Sequence, residues 1–288
     1  MRLNTIRRSI FASLMIVVLM GGVAFAQTPP TTRPVPGRGM PANPALPTIW
    51  VVGDSTANNN ASGGLGWGSP FIKLFDPAKV NVVNRARGGR SSRSYLVEGL
   101  WDWVLEDSKP GDFVILQMGH NDGGGTNVSN PNGRPSLPGL GDETAEVTIP
   151  AGRSGTPAER KEIVHTYGWY MKKYVTDARA RGLKIIVASS VPHLPREMVK
   201  DGDVETRFQH VAWAQQVAAA ENVPFINVNK IVYSHYAGMD PGDIRTKYFV
   251  PPGDGTHTNP DGAALNAQCV VEGLKTLTDL PIKDWLLP

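Results

Sequence analysis

The sequence predicts an α/β domain: a parallel sheet with helices on both faces. Two observations carry this. Short apolar runs rich in β-branched residues recur along the chain, each bounded by Gly, Pro, Asn or Asp. Amphipathic stretches, with an apolar residue every three or four positions, separate them. Ligands of such sheets bind outside the carboxyl ends of the strands. Polar residues directly behind the runs are therefore the first place to look for function.

Five strands are expected, at 49–52, 80–83, 113–116, 185–188 and 224–228. The clearest helix spans 159–181, where Ile163, Tyr167, Tyr170, Tyr174 and Ala178 repeat at helical spacing and Gly182 closes the end. A second spans 205–221, with Phe208, Val211, Gln215 and Ala218 on one side. A third begins near Asp261 and passes Leu265, Cys269 and Leu274. Residues 123–156 break the rhythm: they are rich in Gly, Pro and Asn and show no regular period. A segment of that kind either walls a cleft or runs passively over the surface.

Residues 1–26 read as a secretory signal. Arg2, Arg7 and Arg8 form a basic head, an apolar run from Ile10 to about Val23 follows, and Ala24-Phe25-Ala26 sets cleavage before Gln27. The alternative, a retained membrane anchor, asks for a longer apolar run. Arg7-Arg8 touches the twin-arginine pattern, but the strongly apolar run favours the general secretory route. Residues 27–47 form a linker in which seven of 21 residues are proline. That composition favours extended chain over core. A single domain, 48–288, remains.

The chain carries 29 Lys+Arg against 26 Asp+Glu, and the signal holds three of the arginines and no acid. The mature chain is thus balanced at 26 to 26. No basic stripe argues for nucleic acid, and once the signal is cleaved nothing argues for a membrane partner. Cys269 is the sole cysteine, so neither an internal disulfide nor a cysteine-based zinc site is available. It falls on the apolar side of a helix, as a buried thiol would.

Gly53-Asp54-Ser55 lies directly behind the first strand, and Asp254-Gly255-Thr256-His257 follows far downstream. A serine hydroxyl keeps its proton at neutral pH and needs a base to become nucleophilic. A histidine such as His257 can take up and return that proton. Asp254, three residues earlier, is placed to hold one imidazole nitrogen and leave the other for Ser55. The Gly-x-Ser-x-Gly elbow of α/β-hydrolases is absent. Donors for a developing oxyanion are available in the Ser55 N–H, a glycine N–H among Gly88 and Gly89, and the Asn121 amide in Gly119-His120-Asn121-Asp122. Gly88-Gly89 also suits a plain turn, and Asn121 a loop cap. Trp67, Trp169 and Tyr170 are either sugar-stacking or core aromatics. His193 and His210 either line the site or serve structure. Arg90 either meets a substrate carboxylate or bridges a loop.

Gly53-Asp54-Ser55, Asn84…Gly89-Arg90-Ser91, Gly119-His120-Asn121-Asp122 and Asp254-x-x-His257 stand in the block order of the SGNH, or GDSL, hydrolase superfamily, which this chain resembles. Gly66-Trp67-Gly68, His165-Thr166-Tyr167-Gly168-Trp169-Tyr170 and Asp254-Gly255-Thr256-His257-Thr258 are similar to the rhamnogalacturonan acetylesterase branch. The resemblance implies a flavodoxin-like three-layer αβα sandwich with a five-stranded parallel sheet. It implies Ser55 as nucleophile, His257 as base and Asp254 as its orienter, with Ser55, Gly89 and Asn121 forming the oxyanion hole and no metal or cofactor. The function implied is a secreted or periplasmic serine esterase that deacetylates plant cell-wall polysaccharide, pectin or rhamnogalacturonan, through an acetyl-Ser55 intermediate. Acetylxylan or another glycan, a lipid or thioester, and glycan binding without catalysis are the alternatives. Two departures from the family, the long 123–156 segment and the missing cysteine pairs of some secreted members, bear on the sugar rather than the chemistry.

Overall fold

The computed structural model describes residues 39–61, 63–123, 136–149, 151, 158–203, 205 and 208–288. These lie within one compact unit, Gly37–Pro288. The expected signal and most of the expected linker fall outside the described residues. The last linker residues are tied to the domain: Asn43 N–H donates to Asn81 Oδ1 (2.9 Å), and Asn81 Nδ2 donates back to Asn43 O (2.7 Å).

In chain order the elements are β1 (Thr48–Gly53), α1 (Gly68–Ile72), β2 (Asn81–Asn84), α2 (Ser92–Val97), α3 (Leu100–Asp107), β3 (Phe113–Gln117), β4 (Thr144–Ile149) and β5 (Arg160–His165). There follow α4 (Tyr167–Ala180), β6 (Lys184–Ala188), α5 (His210–Ala220), β7 (Phe225–Ile226), α6 (Val228–Tyr236), α7 (Pro241–Tyr248), α8 (Pro260–Lys275) and a 3-10 turn, Pro281–Trp285. The five expected strands form one parallel sheet in the order β2-β1-β3-β6-β7. The order reverses between β1 and β3, which places the ligand crevice of such a sheet at their carboxyl ends.

Successive residues of a strand face opposite sides, so the apolar runs feed two cores. Ile49, Val51, Phe113, Ile115 and Ile186 pack with Phe71 of α1, Val232 and Tyr236 of α6, and Val270 and Leu274 of α8. Trp50, Val52, Val114, Leu116 and Val187 pack with Tyr95, Trp101 and Val104 of α2 and α3, Tyr174 of α4 and Val217 of α5. Helices thus cover both faces of the sheet, as expected. At the amino end of the strands, Asp112 accepts from Thr48 N–H (2.9 Å) and Trp50 Nε1 (3.2 Å), locking β1 to β3.

Two expectations need correcting. The helix expected over 159–181 begins only at Tyr167, because Arg160–His165 pairs antiparallel with Thr144–Ile149 as β5 and β4. The 123–156 segment therefore carries a strand in its described part; residues 124–135, 150 and 152–157 lie outside the described residues. Ile163, read as part of a buried helical stripe, is a strand residue 52% exposed. The helix expected over 205–221 starts at His210, and its buried side is Val211, Ala214, Val217 and Ala218, with Gln215 exposed.

Candidate active site

Gly53 ends β1, and the chain then turns so that Ala57 and Asn58 N–H both donate to Asp54 O. Ser55 stands at the start of that turn, half-buried on the crevice edge. The second half of the site arrives from the loop before α8. Val250 N–H donates to His257 O (3.1 Å), Leu65 N–H to Thr258 O (2.8 Å) and Leu194 N–H to Gly255 O (2.8 Å). Held at these points, the loop brings His257 Nε2 to 2.8 Å from Ser55 Oγ. His257 Nδ1 lies 2.7 Å from Asp254 Oδ2. Asp254 Oδ1 accepts the backbone N–H groups of Thr256 (2.8 Å) and His257 (3.0 Å), which fixes the carboxylate before it meets the ring. Burial works against ionisation of Asp254, but those backbone bonds and His257 outweigh it and hold the carboxyl below its usual value. The His257 and Asp254 side chains are 31% and 36% exposed, so the site is open to a large substrate.

The loops that carry the expected oxyanion residues lie at the same edge. Arg87 N–H donates to Gly53 O (2.9 Å), which lays the β2 loop beside Ser55. Gly88 passes so close that a Cβ built there would lie 3.7 Å from Ser55 Cβ. Gly89 adopts φ +77°, a conformation open to glycine. Asn121 Nδ2 donates to Arg90 O (3.1 Å), joining the loop after β3 to the loop after β2. Asp122 anchors the start of α2 by accepting from Ser92 N–H (3.0 Å) and Ser136 Oγ (2.9 Å), and its burial pushes the carboxyl up to about 6.

Asp54 and His120 were only letters of a motif in the sequence, and Gln117 carried no signal at all. Asp54 is fully buried; its Oδ1 accepts from Thr56 N–H (2.9 Å) and Thr56 Oγ1 (2.7 Å), and its Oδ2 meets His120 Nδ1 (3.2 Å). Gln117 Nε2 donates to Thr56 Oγ1 (2.7 Å), and Trp67 Nε1 donates to Gln117 Oε1 (2.8 Å). Spacing along the chain gives no hint of bonds between strands, so this network had no signature beyond the motifs themselves.

The other candidates divide. Trp67 and Tyr170 are core, the latter accepting His165 N–H at 3.1 Å. Trp169 is half-buried and stacks on His165, with ring centroids 3.8 Å apart. His193 is held by Glu205 (3.1 Å), and burial pushes the His210 ring down to about 4. Arg90 bridges its own loop, bonding Glu98 (2.9 Å) and Gly88 O (3.0 Å). Cys269 is buried, and burial pushes its thiol up to about 12.

Residues 51–265 match the model of the GDSL-like lipase/acylhydrolase family. A rhamnogalacturonan acetylesterase of Emericella nidulans is 32% identical over 227 residues, covering 79% of this chain and 84% of the relative. A probable rhamnogalacturonan acetylesterase of Bacillus subtilis, YesY, is 27% identical, covering 83% and 97%. Among solved structures, protein YxiM of Bacillus subtilis superposes with a TM-score of 0.62 at 22% identity. The match covers 81% of this chain and 57% of YxiM. An acetylxylan esterase of Geobacillus stearothermophilus superposes with a TM-score of 0.50 at 14% identity, covering 79% of this chain and 94% of that one. At these identities the two structures speak for the fold.

Proposed function

The chain belongs to the GDSL-like lipase/acylhydrolase family, and from that membership and the geometry of its site we propose that it is an exported esterase that removes acetyl groups from pectic polysaccharide. The observation that carries the chemistry is the continuous hydrogen-bonded chain Asp254–His257–Ser55. Ser55 Oγ attacks the acetyl carbonyl carbon while His257 Nε2 takes the hydroxyl proton. Asp254 holds the ring in the tautomer whose Nε2 lone pair faces Ser55 and stabilises the imidazolium that forms. The carbonyl oxygen gains negative charge, and the Ser55 and Gly89 N–H groups and the Asn121 amide are the donors assigned to stabilise it. The ester C–O bond then breaks, and the sugar oxygen leaves with the proton from His257. Water, deprotonated by His257, attacks the acetyl-Ser55 carbonyl. Acetate departs and Ser55 recovers its proton.

The pectic substrate is supported by the two rhamnogalacturonan acetylesterase relatives, which match most of the chain. Export is supported by the basic, apolar and small-residue order of residues 1–26. The test is acetate release from native acetylated rhamnogalacturonan, homogalacturonan and xylan, with Ser55→Ala as control. Rhamnogalacturonan should be the best substrate, and the control should lose about a thousandfold or more in kcat. A preference for acetylxylan or for long acyl chains would overturn the substrate reading. Undiminished turnover of an aryl acetate by Ser55→Ala would overturn the chemistry.

A further inference from the structure

His120 lies outside the chain from Asp254 to Ser55, yet it touches the ends of the strands that carry the site. Its ring is buried, with the side chain 2% exposed. Nδ1 lies 3.2 Å from Asp54 Oδ2, and Asp54 is joined directly to Ser55. Nε2 lies 2.9 Å from Val191 O. Val191 follows β6, and three residues later Leu194 N–H donates to Gly255 O in the turn that carries Asp254 and His257. His120 is itself the residue before Asn121. One side chain thus links the nucleophile, the amide donor and the acid–base turn.

The directions of the hydrogen bonds fix its charge. Trp67 Nε1 only donates, so Gln117 Oε1 accepts and Gln117 Nε2 donates to Thr56 Oγ1. The Thr56 hydroxyl proton is left for Asp54 Oδ1, which also takes the Thr56 N–H. A carbonyl oxygen only accepts, so Nε2 must carry a proton toward Val191 O. The remaining proton lies between Nδ1 and Asp54 Oδ2, and the carboxylic acid is the stronger acid by roughly 2.6 pH units at ordinary values. Nδ1 therefore holds it, and both ring nitrogens are protonated.

We infer that His120 is a buried imidazolium, paired with the Asp54 carboxylate, whose role is to position Ser55, Asn121 and the Asp254–His257 turn relative to one another. It is a positioning residue, and this role rests on the esterase reading above. The charge shifts agree in direction. Burial opposes the charge on each partner, but for Asp54 the His120 charge and hydrogen bond outweigh it, and for His120 those of Asp54 do, helped by Glu205 and the Val191 bond. Among the described residues, the other groups facing the ring are His193 from the loop after β6 (centroids 4.9 Å), Phe208 ahead of α5 (5.2 Å), and the charge of Glu205 behind His193. His210 is disfavoured as a cation by burial and by this same imidazolium. Asp122, two residues along, is held to Ser92 and Ser136 instead.

The test combines spectroscopy with kinetics. In protein labelled with nitrogen-15 at histidine, both His120 ring nitrogens should remain protonated at about pH 7, where an ordinary imidazole is mostly neutral. His120→Gln keeps N–H donors but loses the charge. Its kcat on an aryl acetate should fall by about 10- to 100-fold with KM nearly unchanged, since a small misplacement costs about 10²-fold. The proton shared by His257 Nδ1 and Asp254 should shift or broaden in the same variant. A bare ring nitrogen on His120 at pH 7 overturns the inference, as does a folded His120→Gln with wild-type kcat and an unmoved His257 proton. If His120→Gln does not fold, the wild-type spectrum and the kcat of Asp54→Asn decide between the same outcomes. Failure of the esterase reading would show separately, as absent turnover in wild type or full turnover in Ser55→Ala.

Discussion

Asn121→Ala removes the one side-chain donor proposed for the oxyanion and also the tie to Arg90 O. Its kcat on an aryl acetate should drop by about 10²–10³-fold with little change in KM, measured by initial rates. Equal losses in substrate binding would point to a collapsed loop rather than a missing donor. Gly119→Ala tests the backbone beneath that donor. Gly119 sits at φ +147°, and a Cβ there would lie 2.7 Å from Ser190 Oγ and 3.1 Å from His210 Cβ. The substitution should cost about 1–3 kcal/mol in urea unfolding. Cys269 supplies a contrasting case: with its thiol pushed up to about 12 and out of solvent, iodoacetamide should leave turnover intact. Ser55, Asp254 and His257 were legible in the sequence because each sits in a short motif. His120 and Gln117 were not, because their part depends on which way each hydrogen bond runs between neighbouring strands.

At the scale of elements, the strands of the main sheet were legible as short β-branched-rich runs, most plainly β1 and β3, which are buried on both faces throughout. The β4–β5 ribbon was not. It buries little beyond Val147 and Val164 against Leu137, so its sequence lacks the apolar density of the others. Its second strand also places Ile163 at helical spacing from Tyr167, which extended the helix pattern backwards. The discriminating signal was Thr166, whose Oγ1 accepts Trp169 N–H (3.0 Å) and caps α4. The same hydroxyl donates to Gly141 O (2.6 Å), joining the cap to the segment ahead of β4. Thr166→Ala should therefore destabilise the domain by about 1–2 kcal/mol in urea titration. A loss below a few tenths of a kcal/mol would mean that neither bond matters to the fold.

The whole molecule should respond to pH through buried groups of opposite sign. Burial raises Asp122 to about 6, so the stability present below its unfolded pKa near 4 is lost as pH rises through 6. Burial, with the charge on His120, lowers His210 to about 4; stability present above its unfolded value near 6.5 is lost as pH falls through 4. Each spans about 3 kcal/mol, and the two largely offset between about pH 4 and 6.5. Melting temperatures of His210→Phe should expose the Asp122 slope and decline from pH 4 to pH 6; an unchanged profile would refute the assignment. Below about pH 4 wild type should lose stability, because burial opposes ionisation of Asp54, Glu205 and Asp254 but their partners hold all three below ordinary values. The pairing of Ser55 with His257, 202 positions apart, has a consequence in time. Nearly the whole chain must emerge, and the first strand must have found its neighbours, before base and nucleophile meet. Contacts of such long range form slowly. On dilution from denaturant, far-ultraviolet ellipticity should return first and turnover last, so that the molecule stays chemically silent until its final loop has docked.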